Sequence, residues 1–314
     1  MKKLNWILSL AVGGMVMLEA PISAQDKKKA PAKKTPAKKE AAKPKPKPTT
    51  KPTPKTAPKP KPKSIFPDKE LEKAVRHQVF AKRNNEEPLT AEDVAQVAVV
   101  KGDHMGIKDL TGMQHCKALA SLELAGNEIK DLAPIKGLPR LQLLDVSKNQ
   151  ITSVVPLKEN LALQYIELSS NKVQDVASLA GLTNLSCLYL SDNQVKNISP
   201  VLKLPKLHSF YIDGNGLSSI KGVNQLKRLS TLSASRNQIS DISPLIGLEN
   251  LFHIFLETNK ITNIDPLFGM IEKDYKGGQR FSPFVNIYLK GNQLDASSKK
   301  QIEEFKKKYY TRFK

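Results

Sequence analysis

Seven asparagines recur at a constant interval of 22 residues along the middle of this chain. They are Asn127, Asn149, Asn171, Asn193, Asn215, Asn237 and Asn259. A period between about 20 and 50 residues is typical of a solenoid, in which each unit buries its apolar face against the next unit. The chain is therefore expected to present one repeated surface, and its function becomes a question about that surface.

The residues around each asparagine define the class of repeat. The first unit follows the pattern L-x-x-L-x-L-x-x-N-x-I, with Leu119, Leu122, Leu124, Asn127 and Ile129. This pattern resembles the leucine-rich repeat. Apolar residues two apart predict a strand with one buried face, so stacked units should form a parallel sheet. The predicted fold class is an α/β solenoid: a leucine-rich repeat horseshoe with a parallel concave β-sheet, short convex helical turns and helical caps at both ends.

Each asparagine is expected to lie in the turn after a strand, where its amide donates to and accepts from otherwise unpaired backbone groups. The column, which Asn292 extends after a longer gap, is predicted to be a buried structural ladder. Four residues past each asparagine is a short polar side chain of a type that caps helical turns. Proline follows three residues later in five of the seven units, which fits the first turn of a short convex helix and not a long helix.

The N-terminal end of the array departs from the repeat. Residues 64–97 are predicted to form a helical N-terminal cap, because Leu71, Ala74 and Val75 have helical spacing. A second helix start is marked by Thr90-x-x-Asp93. The repeats themselves are assigned to residues 98–294.

The C-terminal end departs from the repeat in two ways. An insertion near residues 268–283 lengthens the last interval, and its residues 273–280 are predicted to form a polar loop. Residues 295–314 are predicted to form a C-terminal capping helix. The apolar stripe of that helix is expected to contain Ile302, Phe305, Tyr309 and Phe313.

Three features of the segment from about Ile65 to Leu294 are typical of one family: Phe66-Pro67-Asp68 before the helical cap, the half-unit at 106–110 (Gly-Ile-Lys-Asp-Leu), and units such as 237–245. By these features the segment resembles the internalin-type bacterial leucine-rich repeat proteins. The resemblance implies the internalin fold and cap. It also implies that a protein partner is engaged through the concave face.

The first 24 residues predict export. Lys2 and Lys3 precede an apolar run that ends at Leu18, and residues 22–24 (Ile-Ser-Ala) resemble a cleavage site. Residues 1–24 are therefore interpreted as a signal peptide and the protein as secreted or periplasmic, with no stable membrane span after cleavage. The alternative is a retained N-terminal membrane anchor, because the lysines at 27–29 oppose translocation.

Residues 25–63 form a Lys/Pro/Ala-rich linker that is expected to be disordered. Between Asp26 and Lys63 there are 15 lysines against two acidic residues. Segments such as 43–48 (Lys-Pro-Lys-Pro-Lys-Pro) lack apolar side chains to bury and favour polyproline II. Two interpretations stay open, a solvated spacer or a polycation that binds an anionic envelope polymer. Nucleic acid is not the expected partner.

The side chains that flank the paired leucines point away from the core and define a candidate partner-binding surface. It has acidic residues in the early repeats and aromatic residues in the later ones. The candidates are Glu123, Asp145, Tyr165, Glu167, Tyr189, Tyr211, Asp213, His253, Phe255, Glu257 and Tyr288. Aromatic side chains dominate binding energy at interfaces, and acid beside aromatic favours a basic or amphipathic peptide.

Catalytic motifs are missing from the sequence. The five histidines form no His-x-x-x-His pair, and there is neither a Gly-x-Ser-x-Gly motif nor a glycine-rich phosphate loop. No catalytic, metal-binding or cofactor-binding residue is predicted. The favoured function is a non-enzymatic protein-binding module of the bacterial envelope or exterior. The alternative is an envelope-structural protein whose polycationic tail binds anionic polymer while the solenoid is a rigid spacer.

Overall fold

The computed structural model describes residues 63–278, 285–308 and 312–313. These residues belong to one compact unit. The predicted signal peptide at 1–24 and the linker up to residue 62 lie outside the described residues. So do Tyr309 of the predicted C-terminal stripe and residues 279–280 of the predicted polar loop.

Ten short strands within the described residues form one parallel sheet in chain order, each hydrogen-bonded to the next. They are β1 (Val99–Lys101), β2 (Ser121–Glu123), β3 (Leu143–Asp145), β4 (Tyr165–Glu167), β5 (Cys187–Tyr189), β6 (Ser209–Tyr211), β7 (Thr231–Ser233), β8 (His253–Phe255), β9 (Asn286–Tyr288) and β10 (Arg312–Phe313). The middle residues of β1 to β9 are aligned and fully buried, as Leu122 beside Leu144 illustrates. The predicted leucine-rich repeat solenoid with a parallel sheet is confirmed.

The core is a set of stacked apolar columns. In the first full unit Leu119, Leu122 and Leu124 are fully buried, and the equivalent residues of later units have almost no exposed surface. Burial of one such side chain contributes about 1.5–3 kcal/mol. Each unit therefore depends on its two neighbours to cover its apolar face.

The repeated asparagines join each unit to the preceding one. Asn171 is typical: its Oδ1 accepts from the Ile151 N–H at 2.9 Å, and its Nδ2 donates to the carbonyls of Leu168 at 2.9 Å and Val146 at 3.0 Å. The same three bonds recur from Asn127 to Asn292. A buried backbone group without a hydrogen-bond partner is costly. The asparagine amide therefore fixes the position of each unit relative to the preceding unit.

The residue immediately before each ladder position has a left-handed backbone. The positions are His104, Gly126, Lys148, Ser170, Asp192, Gly214, Arg236, Thr258 and Gly291, with φ between 54° and 81°. The chain leaves every strand by the same turn, so the side chains at these positions form a row along one rim of the sheet.

The short polar residues four past each asparagine act differently from the prediction. Asp131 accepts at its Oδ1 from the Ala133 N–H at 2.8 Å, two residues on, and the other units repeat this bond. The following 3₁₀ turn has Leu132 at its N-cap without a side-chain cap. These residues therefore close a turn before the helical turn begins, and the predicted helix capping was wrong.

The segments between the strands make short 3₁₀ turns. They span Met113–His115, Ala133–Ile135, Val155–Glu159, Ala177–Gly181, Val201–Lys203, Val223–Gln225 and Ser243–Leu245, and a further turn spans Phe80–Lys82. The turns between successive strands contact one another from unit to unit. The predicted short helical turns are confirmed.

Two helices precede the sheet. Helix α1 (Lys69–Arg76) starts at Asp68, whose Oδ1 accepts from the N–H groups of Glu70 and Leu71, both at 3.0 Å. The Asp68 Oδ2 accepts from Lys108 and Asp109 at 2.7 and 3.1 Å, so one carboxylate joins the helix to the first half-unit. Helix α2 (Ala91–Val94) starts with a capping box between Thr90 and Asp93.

The C-terminal part differs from the prediction at three points. Residues 273–276, predicted to be loop, are the last turn of helix α3 (Asp265–Lys276), which fills the insertion. Pro266 stands in the first turn of this 12-residue helix, so proline at that position does not limit helix length. Helix α4 (Ala296–Lys308) is followed by β10, which contains Phe313. Strand β10 pairs in parallel with β9, whose edge would otherwise present unpaired backbone groups.

The structure also bears on membrane insertion. Among the described residues, none of the helices combines the length and the apolar character needed to cross a bilayer.

Candidate partner-binding face of the sheet

Strand pairing places the predicted central column in one row across the exposed face of the sheet. The row runs Glu123, Asp145, Glu167, Tyr189, Tyr211, Ser233, Phe255, Tyr288 in consecutive register. All of these side chains are half-buried except Ser233, which is only 5% exposed. Their neighbours on the same strands include Tyr165 and His253.

Three carboxylates occupy consecutive strands at one end of this row, and we call Glu123, Asp145 and Glu167 the acidic row. Burial raises the pKa of Asp145 and of Glu167, and neighbouring acids raise both pKa values further. Hydrogen bonds from Ser147 to Asp145 and from Ser169 to Glu167 act in the opposite direction but do not cancel the increase. The salt bridges among the described residues include Lys101 with Glu123 at 3.0 Å, and none involves Asp145 or Glu167. Two of the three carboxylates in the acidic row therefore have no salt-bridge partner among the described residues.

Three tyrosines adjoin the acidic row, and we call Tyr165, Tyr189 and Tyr211 the tyrosine stack. The ring centroids of Tyr189 and Tyr211 are 4.6 Å apart with planes at 21°, and those of Tyr165 and Tyr189 are 5.2 Å apart at 41°. Burial raises the pKa of Tyr165 and of Tyr189 well above the usual range, and the charge of Glu167 adds to both effects. The three phenols therefore stay neutral hydrogen-bonding groups.

The later aromatic residues form a separate group, and we call His253, Phe255 and Tyr288 the second cluster. Phe255 and Tyr288 stack with centroids 4.5 Å apart and planes at 18°, and His253 lies 6.5 Å from Phe255. Strand β7 separates this cluster from the tyrosine stack, because the two side chains it contributes to this face, Thr231 and Ser233, are not aromatic. The sequence predicts aromatic residues toward the later repeats, and the structure places them in two separate patches.

Asp213 lies two residues beyond Tyr211 and organises the gap between the patches. Its Oδ1 accepts from the Ser233 hydroxyl and the Ser235 N–H, both at 2.7 Å, and its Oδ2 accepts from the Ser191 hydroxyl at 3.0 Å. Glu257 occupies the same position relative to Phe255, and its N–H donates to the Ser235 hydroxyl at 3.1 Å. Asp213 therefore supports the face, since three donors already use its oxygens.

One ion pair at the rim of the sheet was missed by the sequence analysis. The Arg236 Nη1 donates to the Asp192 Oδ1 at 2.7 Å across an intervening unit, whose rim position is Gly214. A Cβ at Gly214 would lie 2.5 Å from that oxygen. The sequence does contain a signal for this pair. Asp192 and Arg236 occupy equivalent positions 44 residues apart, and the position between them is Gly214, which leaves room for the contact.

The comparisons with known proteins agree with this architecture. A family profile described as "Leucine Rich repeats (2 copies)" matches residues 117–159, 161–203 and 183–225. The crystal structure of internalin C2 from Listeria monocytogenes is 36% identical, with a TM-score of 0.63, and the match covers 66% of this chain and 91% of that one. The chain belongs to the internalin family.

Two further comparisons complete this picture. A leucine-rich repeat protein from Leptospira interrogans is 22% identical with a TM-score of 0.55, over 64% of this internalin-like chain and 56% of that protein. At that identity the likeness shows the fold alone. A search of curated proteins gave no match.

The internalin-like chain has one thiol beside an imidazole. The Cys187 Sγ lies 3.8 Å from the His208 Nε2. Burial raises the pKa of Cys187 and lowers the pKa of His208, so both groups are held neutral, the opposite of an activated thiolate–imidazolium pair. Cys116 and Cys187 are both buried and free. Within residues 63–278, 285–308 and 312–313, no group of three or more His, Cys, Asp or Glu side chains is placed to hold a metal.

Proposed function

We propose that this internalin-like protein is a non-enzymatic module of the bacterial envelope or exterior that recognises a protein partner through the exposed, concave face of its sheet. Leucine-rich repeat proteins in general bind proteins, and their stacked repeats provide an extended surface for this purpose. The observation that carries the proposal is the half-buried tyrosine stack beside the acidic row. The remaining candidates, Asp213, His253, Phe255, Glu257 and Tyr288, extend the proposed surface.

The chemistry of this face favours recognition. Tyrosine supplies a large amphipathic surface at low cost in side-chain entropy, and it is enriched among residues that dominate interface energies. The strands hold the rings in a fixed register, so little order has to be gained on binding. A rigid face with aromatic and charged groups in rows is suited to a protein or peptide surface.

The test is affinity capture from envelope and secreted fractions with residues 25–314 as bait. Tyr189→Ala combined with Tyr211→Ala is expected to abolish capture of the partner, because both changes remove stacked interface rings. Phe80→Ala is the matched control, since Phe80 is an aromatic residue of the cap that is 86% exposed. Capture that survives the double substitution would refute the proposed site.

The alternative, an envelope-structural protein with a rigid solenoid as a spacer, is favoured by one observation, the 15 lysines between Asp26 and Lys63. In that case deletion of residues 25–63 should release the protein from the envelope fraction while the tyrosine variants remain bound. Binding to an anionic polymer should also fall steeply in moderate salt, because exposed charges are screened beyond about 10 Å at 0.1 M.

A further inference from the structure

We infer that the ligand of this face is a linear peptide segment of about ten residues, basic at one end and apolar at the other, that lies across the strands. Its basic end contacts the acidic row, and its apolar part follows the tyrosine stack to the second cluster. This inference rests on the proposed function and names the chemistry of the partner.

The orientation of the rings argues for a peptide against a sugar or a nucleobase. Tyr189 and Tyr211 stack face to face along the row, as do Phe255 and Tyr288. Each of these four rings therefore has one face covered by a neighbouring ring, and Tyr165 packs against Tyr189 as well. Sugars and bases bind on open ring faces. Ring edges with hydroxyls fit the mixture of apolar side chains and amides that a peptide presents.

Charge complementarity determines which end of the ligand is basic. Asp145 and Glu167 are half-buried carboxylates on adjacent strands, and the pKa of each is raised by burial and then by neighbouring acids. A lysine or arginine of the ligand would supply the salt-bridge partner that Asp145 and Glu167 lack among the described residues, where Lys148 acts on Glu167 only through its charge. Residues 64–314 contain 33 basic and 27 acidic residues, so the acidic row stands out against a basic domain.

The length of the ligand follows from strand spacing. Seven strand steps separate Glu123 on β2 from Tyr288 on β9, which at about 4.8 Å each is roughly 34 Å. An extended chain covers this distance with about ten residues, at about 3.3 Å each. Two basic residues separated by one position span about 7 Å, enough to reach adjacent carboxylates of the acidic row.

The gap at β7 defines the middle of the ligand. Ser233 is almost covered, and its hydroxyl donates to Asp213, so this strand presents neither a ring nor a free charge at the centre of the row. A ligand that bridges the two aromatic patches therefore crosses a polar depression at β7. The distance from Tyr211 to Phe255 across it is about two strand spacings, roughly 10 Å. We expect small or polar residues at the corresponding ligand positions.

The experiment is selection from a phage-displayed library of random ten-residue peptides with residues 25–314 as bait. Peptides that also bind the Tyr189→Ala/Tyr211→Ala variant are removed, which discards those attracted by the lysine-rich segment. The remaining peptides should be enriched in lysine or arginine at one end and apolar residues at the other. Enrichment of acidic or uncharged sequences overturns the inference while the proposed function stands, and failure to select any tyrosine-dependent peptide counts against both.

The best selected peptide then allows a quantitative test by fluorescence anisotropy. Asp145→Asn with Glu167→Gln is expected to weaken binding about tenfold, the loss of two partly buried charge pairs. Glu128→Gln with Glu159→Gln is the matched control, because it removes two charges that pair with lysines away from the face. The control should change affinity less than twofold, and equal effects of the two variants contradict the inference.

Discussion

At the scale of single residues, the acidic row opposes folding, and the proposed binding role would account for its presence. Like charges on adjacent strands destabilise a sheet, and burial adds to the cost of ionising each one. Glu167 is surrounded by Asp145, Lys148, Tyr165 and Tyr189, of which only Lys148 is a cation. The fold tolerates this arrangement, as proteins do where charge serves recognition.

Replacement of Glu167 by glutamine should therefore stabilise the protein at neutral pH. Because the folded-state pKa is raised, this carboxyl favours the folded state at low pH, and that contribution is lost as the pH rises through the folded pKa. We expect a gain of about 0.5 kcal/mol at pH 7, or about 1–2 °C in Tm.

Thermal unfolding followed by circular dichroism at pH 7 and pH 4 is the measurement. The gain should shrink at pH 4, where the carboxyl is protonated in the folded state. Glu128→Gln should produce no such pH-dependent gain. A lower Tm for Glu167→Gln at pH 7 would show that the carboxylate is stabilising.

At the scale of elements, side chains at the rim and the cap determine how neighbouring units are joined. Arg236 reaches Asp192 over Gly214, and Asp68 binds backbone groups of both α1 and the first half-unit. Both contacts join parts of the chain that the leucine pattern leaves independent. Each therefore adds a connection beyond the stacked core.

Gly214→Ala should destabilise the protein more than Gly216→Ala. Both glycines have a left-handed backbone, so each substitution costs roughly 1–2 kcal/mol. Only at position 214 would the new Cβ also meet the ion pair, at 2.5 Å from Asp192 Oδ1 and 3.0 Å from Arg236 Nη1, whereas at 216 the nearest atom is 4.0 Å away. Urea denaturation of both variants measures the difference, and equal losses would mean that the ion pair contributes nothing.

Asp68→Asn should weaken the attachment of the N-terminal helix by about 1–3 kcal/mol at pH 7, because an amide nitrogen in place of Oδ2 cannot accept from the N–H groups of Lys108 and Asp109. Burial raises the pKa of Asp68, but four backbone N–H groups, those of Lys108, Leu71, Asp109 and Glu70, together lower it by more. The net effect is a pKa below the usual range of an aspartate. With a depressed pKa, the stabilising effect is present above the unfolded-state pKa and is lost as the pH falls through the folded-state pKa. The difference from the wild type in urea denaturation should therefore disappear at acidic pH, and a constant difference would exclude the charge as its cause.

At the scale of the whole molecule, stability is distributed along a line of neighbouring contacts. This explains how much the sequence could predict. The interval of 22 residues and the leucines predict the parallel sheet and its register, because each contact involves the next unit. The split of the aromatic surface follows from Ser233, which the register places between Tyr211 and Phe255, so it can be predicted from the sequence. The Asp192–Arg236 pair skips a unit, so contacts between neighbouring units do not predict it. The helix in the insertion lies outside the repeat pattern, and strand β10 depends on the open edge of β9, which no repeat pattern encodes.

Asn171→Ala should make the repeats before Asn171 and the repeats after it unfold separately. The substitution leaves the Ile151 N–H and the Leu168 and Val146 carbonyls without their partner, at a cost of about 3 kcal/mol or more in the interior. Hydrogen exchange should show β1 to β4 and the later strands losing protection at different urea concentrations. Asn224→Ala, at an exposed position, is the control and should leave a single transition. One transition in both variants would mean that the ladder does not set cooperativity.

The constant interval has a consequence for engineering. Excision of residues 216–237 would remove one whole unit and join Asn215 to Gln238, which preserves the order of every column. Strand β6 would then lie beside β8, and Phe255 would occupy the place of Ser233 next to Tyr211. The two aromatic patches would fuse into a continuous line of rings. The exposed row of this sheet is thus made of units that can be removed one at a time, so a deletion of 22 codons would change the order of its side chains while every remaining strand keeps its register.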